Sequence, residues 1–206
     1  MLITAIEPRR KGLSQLYIDG EKAMKLDTET LLKEHIKAGM EIDDEELLEL
    51  VKKSEARRAS EKALYLLEHR NHSKKELADK IARVTSKEAA IAAAEHMEEI
   101  GLVNDESFAR SYAHDLFVLK KYGVQRVKQE LFRKGVDKDI IDNVIEEFKC
   151  DIPTEENIKS ILERRYRGYS QDEKIRRRAI AALQRMGYRF DEIKSAINYR
   201  EDEFYE

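Results

Sequence analysis

The side chains able to do chemistry in this chain are few and poorly placed for catalysis. His69 and His72 stand three residues apart, a spacing that can share a metal, but they straddle Asn71, where the helical pattern breaks. His69 is therefore read as a dipole-compatible residue at a helix C-terminus. His35, His96 and His114 have no partner at ligand spacing, and the lone Cys150 cannot complete a zinc site. Glu98-Glu99 and Glu146-Glu147 are neighbours on polar helix faces, whereas acid–base catalysis needs convergent carboxyls. The run Asp43-Asp44-Glu45-Glu46 falls where a helix begins, and suits the positive end of its dipole. The sequence holds no phosphate loop, nucleophile elbow or glycine-rich dinucleotide turn. It is read as a non-enzyme with no metal and no cofactor.

What remains is a concentration of cations. Arg164, Arg165, Arg167, Lys174, Arg176, Arg177 and Arg178 crowd one stretch, with Tyr166 and Tyr169 among them. In a helix starting near Gln171, Ile175, Ala179, Leu183 and Met186 face inward. Lys174, Arg178 and Arg185 then form one stripe on a different side. Arginine pairs its donors with a carboxylate or a phosphate. Tyr166 either stacks on a base or packs inside, and Tyr169 is open to both. Arg126, Lys128, Arg133 and Lys134 extend the same sign more thinly. The opposing reading is a set of solvated helix faces. Net charge is −3, yet residues 1–50 hold seven Lys/Arg against twelve Asp/Glu, and residues 159–200 hold twelve against five. An acidic protein so polarised can still present a basic surface.

The elements that must position these groups are mainly helical. Hydrophobic residues make up 41 % and charged residues 39 % of 206, with mean hydropathy −0.68, a mix that suits thin helical layers. A single cysteine rules out an internal disulfide and fits a reducing compartment. No run approaches the ~20 apolar residues of a membrane helix, and the opening MLITAIEPRRKG lacks a signal peptide's apolar stretch, so a cytoplasmic protein is expected. Separately, it is expected to be a monomer, a reading that no residue pattern carries.

Alternation over residues 2–7 reads as a strand. Leu16-Tyr17-Ile18, Asp19-Gly20 and Ala23-Met24-Lys25-Leu26 read as a hairpin, which together give a three-stranded antiparallel sheet. Asp27 or Thr28 caps a short helix ending near Gly39, with Leu31, Leu32 and Ile36 inward. A helix from Glu46 to about Arg70, broken near Lys53-Ser54, buries Ala56, Ala59, Ala63, Leu64 and Leu67. Capping boxes Ser73/Glu76, Thr85/Glu88 and Ser170/Glu173 open three more helices. Asn104 or Asp105 opens the one containing Phe108, Tyr112, Leu116 and Leu119. Thr154 opens the one containing Ile158, Ile161, Leu162 and Tyr166.

Residues 124–148 set a pattern that recurs. An offset of 52 places Leu131 on Leu183, Gly135 on Gly187, Val136 on Tyr188, Ile141 on Ile193, and Val144 and Ile145 on Ala196 and Ile197. An offset of 50 upstream places Val127 on Leu77, Leu131 on Ile81 and Ile141 on Ile91. The prediction is a mainly α fold, an elongated tandem array of three-helix repeats. Its segments are 1–50, carrying the sheet and short helix, then units 54–102, 103–150 and the basic 153–206.

Arg70-Asn71-His72-Ser73-Lys74-Lys75-Glu76-Leu77 and Gly101-Leu102-Val103-Asn104-Asp105-Glu106-Ser107-Phe108-Ala109 resemble the RecX family. So do Lys121-Tyr122-Gly123 with Glu130-Leu131 and Lys134-Gly135-Val136, and Leu183-Gln184-Arg185-Met186-Gly187-Tyr188. The likeness covers about residues 54–200. Leu102 and Val103 replace the family's usual aromatic and Ile, and residues 1–50 fall outside it. These motifs read physically as caps and turns that build the fold. The resemblance implies a regulatory protein of recombination and DNA repair that binds the RecA recombinase. Lying in the groove of the RecA–DNA filament, it would lower strand exchange and ATP hydrolysis, ATP being the partner's substrate. The basic third unit would then face acidic RecA surface or DNA phosphate. The other readings are a helix-turn-helix-like protein binding DNA directly, or a helical adaptor for another protein.

Overall fold

A computed structural model describes residues 1–149 and 151–197. Cys150 and residues 198–206 lie outside the described residues, and with them the lone thiol and the expected ends of the second and third units. The chain divides into two compact units, Met1–Asn104 and Asp105 onward.

In the first, β1 (Ile3–Pro8), β2 (Leu13–Ile18) and β3 (Glu21–Asp27) form an antiparallel sheet in the order β1-β2-β3. Asp19 and Gly20 both take positive φ, 49° and 85°, as a two-residue primed turn requires. Ile3, Leu16 and Leu26 are buried with Leu31, Ile42 and Leu50. Asp27 caps α1 (Thr28–Lys33) by accepting the Thr30 N–H. Leu31 is buried, but Leu32 is 69 % exposed instead of inward, because neighbours on a helix point about 100° apart and so short a helix has one covered face.

The helix α2 (Asp44–His69) opens on a capping box between Asp43 and Glu46. It runs unbroken through Lys53-Ser54, where a break was expected. Ser54 is a docking residue there: its buried hydroxyl accepts the Asp27 N–H at 2.7 Å. The second half of α2 packs on α3 (Lys74–Ile81) and α4 (Lys87–Glu99). Ala59 and Ala63 lie on that seam with Leu66 and Leu67, which leaves Ala56 and Leu64 on its exposed flank. Ser73 caps α3 as expected, accepting the Glu76 N–H. For α4 the cap is Ser86 and not Thr85, whose hydroxyl donates to the Ile81 carbonyl.

The second compact unit holds α5 (Asp105–His114), α6 (Val124–Arg133), α7 (Lys138–Phe148), α8 (Thr154–Arg165), α9 (Glu173–Arg185) and α10 (Phe190–Ile197). A π-helical turn, Asp115–Leu119, extends α5. An α period would place Leu119 inside beside Leu116. The wider π turn shifts that register, so Phe117 is 2 % exposed and Leu119 72 %. Asp172, not Ser170, caps α9 by accepting the Lys174 and Ile175 N–H groups.

The 52-residue offset holds in space. Leu131 and Leu183, Val136 and Tyr188, and Ile141 and Ile193 are all buried, and Gly135 and Gly187 turn with φ 78° and 92°. The upstream match fails at Ile91, which is 42 % exposed. Five residues separate Ile81 from the cap Ser86, but six separate Leu131 from the cap Asp137. The last helix therefore falls one residue earlier, and Ala90, Ala93, Ala94 and Met97 take the places of Ile141, Val144, Ile145 and Phe148.

The two bundles of this second unit meet backbone to backbone. The Gly123 N–H donates to the Met186 carbonyl at 2.9 Å, and the Gln125 N–H to the Gly187 carbonyl at 3.2 Å. The Tyr188 hydroxyl donates to the Lys121 carbonyl at 2.8 Å, and Lys121 Nζ reaches Ser160 Oγ at 2.9 Å. A Cβ on Gly123 would strike the Gly187 backbone, and one on Gly187 would strike the Arg126 backbone. Gly123→Ala or Gly187→Ala should accordingly cost about 3 kcal/mol or more. Gly101→Ala, left-handed at φ 77° but facing open space, should cost about 1–2 kcal/mol. Urea unfolding of the full chain measures both, and equal losses would mean that the close approach is absent.

Candidate partner-contact surface

The cations singled out in the sequence separate into two groups. Arg164 and Arg165 end α8, Arg167 stands in the loop 166–172, and Lys174, Arg178 and Arg185 line the outer side of α9. All six are exposed, and none of their side chains has a hydrogen bond or ion pair among the described residues. Beneath them α9 buries Ala179 and Leu183, with Ile180 and Met186 half-buried, so the stripe lies where the helical period places it. Tyr166 and Tyr169 pack partly buried against the same core, which is the inside reading of Tyr166.

The other six are engaged within the fold. Arg176 donates to the carbonyls of Tyr169 (3.2 Å) and Ser170 (2.8 Å) and so holds the loop. Arg177 pairs with Glu173 one turn back. Arg126 pairs with Glu130 at 2.8 Å and lies over the Tyr122 ring, while Arg133 takes the other oxygen of Glu130. Lys128 pairs with Asp142 at 2.6 Å, and Lys134 lies over the Tyr112 ring. Sequence reasoning missed this division, which turns on the acids Glu130 and Asp142. The i+4 and i−3 placement of Glu130 between two arginines was the available signal.

Among the described residues the two neighbouring histidines turn to separate partners. His69 is exposed, its Nδ1 2.7 Å from the Tyr65 carbonyl and its ring tilted on the Tyr65 ring. His72 is buried, with Nδ1 2.8 Å from the Arg70 carbonyl and Nε2 2.8 Å from Lys80 Nζ. An ammonium only donates, so Nε2 accepts and Nδ1 carries the proton; the ring is neutral. Burial, first, and then the charges of Arg70 and Lys80 pull the His72 pKa below its ordinary value, opposed by the hydrogen bond to the Arg70 carbonyl and, less, by Glu76. Among the described residues no group of three His, Cys, Asp or Glu is placed to hold a metal, and no helix is long and apolar enough to cross a membrane. A cleft of about 440 Å³ opens over Ile3, Met40, Ile42 and Leu50, rimmed by carboxylates including Glu41 and Glu45.

Three-helix bundles, one of them with six exposed cationic side chains unpaired among the described residues, define a helical-repeat protein. Residues 104–145 match the family model for RecX, second three-helix domain, and residues 154–197 that for RecX, third three-helix domain. The regulatory protein RecX of Caldanaerobacter subterraneus subsp. tengcongensis is 32 % identical over 200 residues, covering 96 % of this chain and 99 % of that protein. That of Bacillus subtilis is 29 % identical, covering 98 % of this chain and 79 % of that protein. A crystal structure of regulatory protein RecX shares the fold with a TM-score of 0.65 at 19 % identity, covering 96 % of this chain and 99 % of its own. The chain belongs to the RecX family of regulatory proteins. The likeness also reaches the N-terminal sheet, which the sequence motifs alone had left outside it.

The buried histidine sets a pH dependence. Its folded pKa lies below the ordinary 6.5, so the stability contributed by the neutral ring is complete above that pH and is lost as pH falls through it. Between pH 7.5 and 5.5 the urea midpoint of the wild-type chain should therefore fall further than that of His72→Asn. Parallel losses in the two proteins would show that His72 titrates as it does in the unfolded chain.

Proposed function

We propose that this protein binds the RecA recombinase and its filament on DNA and restrains strand exchange and ATP hydrolysis, with the exposed cations of α8 and α9 as a principal contact. The reading joins the family's regulatory naming to one observation: six cations of one three-helix bundle carry no partner among the described residues. An array of small bundles suits a repetitive filament, because modest contacts made together add up to tight binding. Charge gives the contact its orientation, with the basic bundle toward acidic protein or phosphate.

The test is the single-stranded-DNA-dependent ATPase of RecA at physiological salt, with this protein added below stoichiometry. Wild type should inhibit. Lys174→Glu, Arg178→Glu and Arg185→Glu together should weaken inhibition about tenfold or more without moving the urea midpoint, because all three side chains are exposed and unpaired. Arg176 is left out, since it holds the loop. Undiminished inhibition by the triple variant would remove the basic face from the contact. A protein acting on DNA directly would instead bind oligonucleotide without RecA, with affinity falling steeply as salt rises.

A further inference from the structure

The same pair of arginines stands on the middle helix of both bundles in the second compact unit, and one position decides whether the pair is free. The offset of 52 places Arg126 on Arg178 and Arg133 on Arg185, in register with Val127 on Ala179, Leu131 on Leu183 and Gly135 on Gly187. Seven residues apart, the two arginines of each pair share one helical face. On α6 the residue between them is Glu130, which is 9 % exposed, and each of its oxygens takes one guanidinium. On α9 that residue is Ala182, half-buried, and Arg178 and Arg185 are exposed with no partner among the described residues.

We propose that α9 carries a carboxylate receptor: Arg178 and Arg185 flank an open seat over Ala182, and an acidic side chain of the partner protein fills it. This deepens the proposed function and rests on it for the partner's identity. The chain supplies its own template, because Glu130 shows on α6 that a single two-oxygen group satisfies two arginines at this spacing. Replacing Glu130 by a methyl group at the equivalent position removes the internal acid and keeps both cations. The arginine pair of the second bundle is thereby engaged within the fold, and that of the third is left to bind. A phosphate backbone would engage cations strung along its path, whereas the same spacing on α6 brings two arginines to one acceptor. Lys174, one turn before Arg178, extends the face toward further acidic groups.

Ala182→Glu restores the internal acid, and Ala182→Gln matches its size without charge. Glutamate and glutamine differ little in helix propensity, and a urea midpoint verifies that both variants fold. Binding of the full chain to the RecA filament on single-stranded DNA should weaken about tenfold or more in Ala182→Glu, and stay within about twofold of wild type in Ala182→Gln. Adding Arg178→Ala and Arg185→Ala to Ala182→Glu should cause little further loss, as expected for groups acting as one unit. The same three chains are titrated against poly-L-glutamate, a probe that needs no RecA, where glutamate at 182 should again weaken binding relative to glutamine. If wild type ignores the filament but the two variants differ on poly-L-glutamate, the RecA assignment falls and the receptor stands. Equal behaviour of Ala182→Glu and Ala182→Gln in both assays overturns the receptor. So does a loss in Ala182→Glu confined to oligo(dT), which would make the face a phosphate reader.

Discussion

The backbone contact between Gly123 and the turn at Gly187 sets the terms for the second half of the molecule. The helix α6 begins with no side-chain cap, since Gly123 has nothing to offer its free amides. The Gly187 carbonyl accepts the Gln125 N–H instead, so the turn of the following bundle caps the helix of the preceding one. Tyr188 reinforces the junction by donating its hydroxyl to the Lys121 carbonyl, and burial pushes the pKa of that hydroxyl well above its ordinary value. Each bundle has a small core of its own, one around Val127, Leu131 and Val144 and the other around Ile158, Leu162 and Leu183. Sharing a capped helix end couples two cores that would each be marginal alone.

Against that frame of packed helices, electrostatics decides availability more than stability. Exposed ion pairs such as Lys128–Asp142 or Arg177–Glu173 contribute little to stability, because water screens them. What they do is occupy donors. Arg110, bridging Glu106 and Glu147 through Nε and Nη2, holds the Glu147 carboxyl below the usual carboxylate range. The outer side of α9 differs only in lacking acids at the right offsets.

Much of this was legible in the sequence, and the failures share a cause. The Asp19-Gly20 hairpin, the 52-residue offset and the stripe of Lys174, Arg178 and Arg185 are local or periodic signals, and each stands as read. Lys121-Tyr122-Gly123 and Met186-Gly187-Tyr188 were visible as separate family motifs, but nothing in one dimension says that they are two halves of one junction. The π turn that inverts Phe117 and Leu119 leaves the composition of its helix unchanged. Ser54 looked like a break because a hydroxyl in a helix often marks one, and only the Asp27 N–H across from it gives the residue its role. Ser86 and Asp172 displaced the expected caps by one and two residues, since several short polar side chains compete to reach the same amides. The first bundle's shorter turn moved a whole helix by one residue and left Ile91 outside.

Leaving α9 cationic has a cost that bears on what the face is for. Lys174 and Arg178 are like charges one turn apart, with Arg177 beside them, and such pairs destabilise an isolated helix by a few tenths of a kcal/mol each. The helix is held regardless, by Asp172 at its start, by Ala179 and Leu183 beneath and by the Gly187 turn at its end. A single acid at position 182 would relieve the repulsion, as Glu130 does at the matching place on α6. The fold thus carries this repulsion on a helix it has anchored at both ends, and it carries it on the bundle whose cations remain open to solvent. Stability alone would favour the Glu130 solution in both bundles, and the difference leaves on the third bundle the face that the proposed function assigns to a partner.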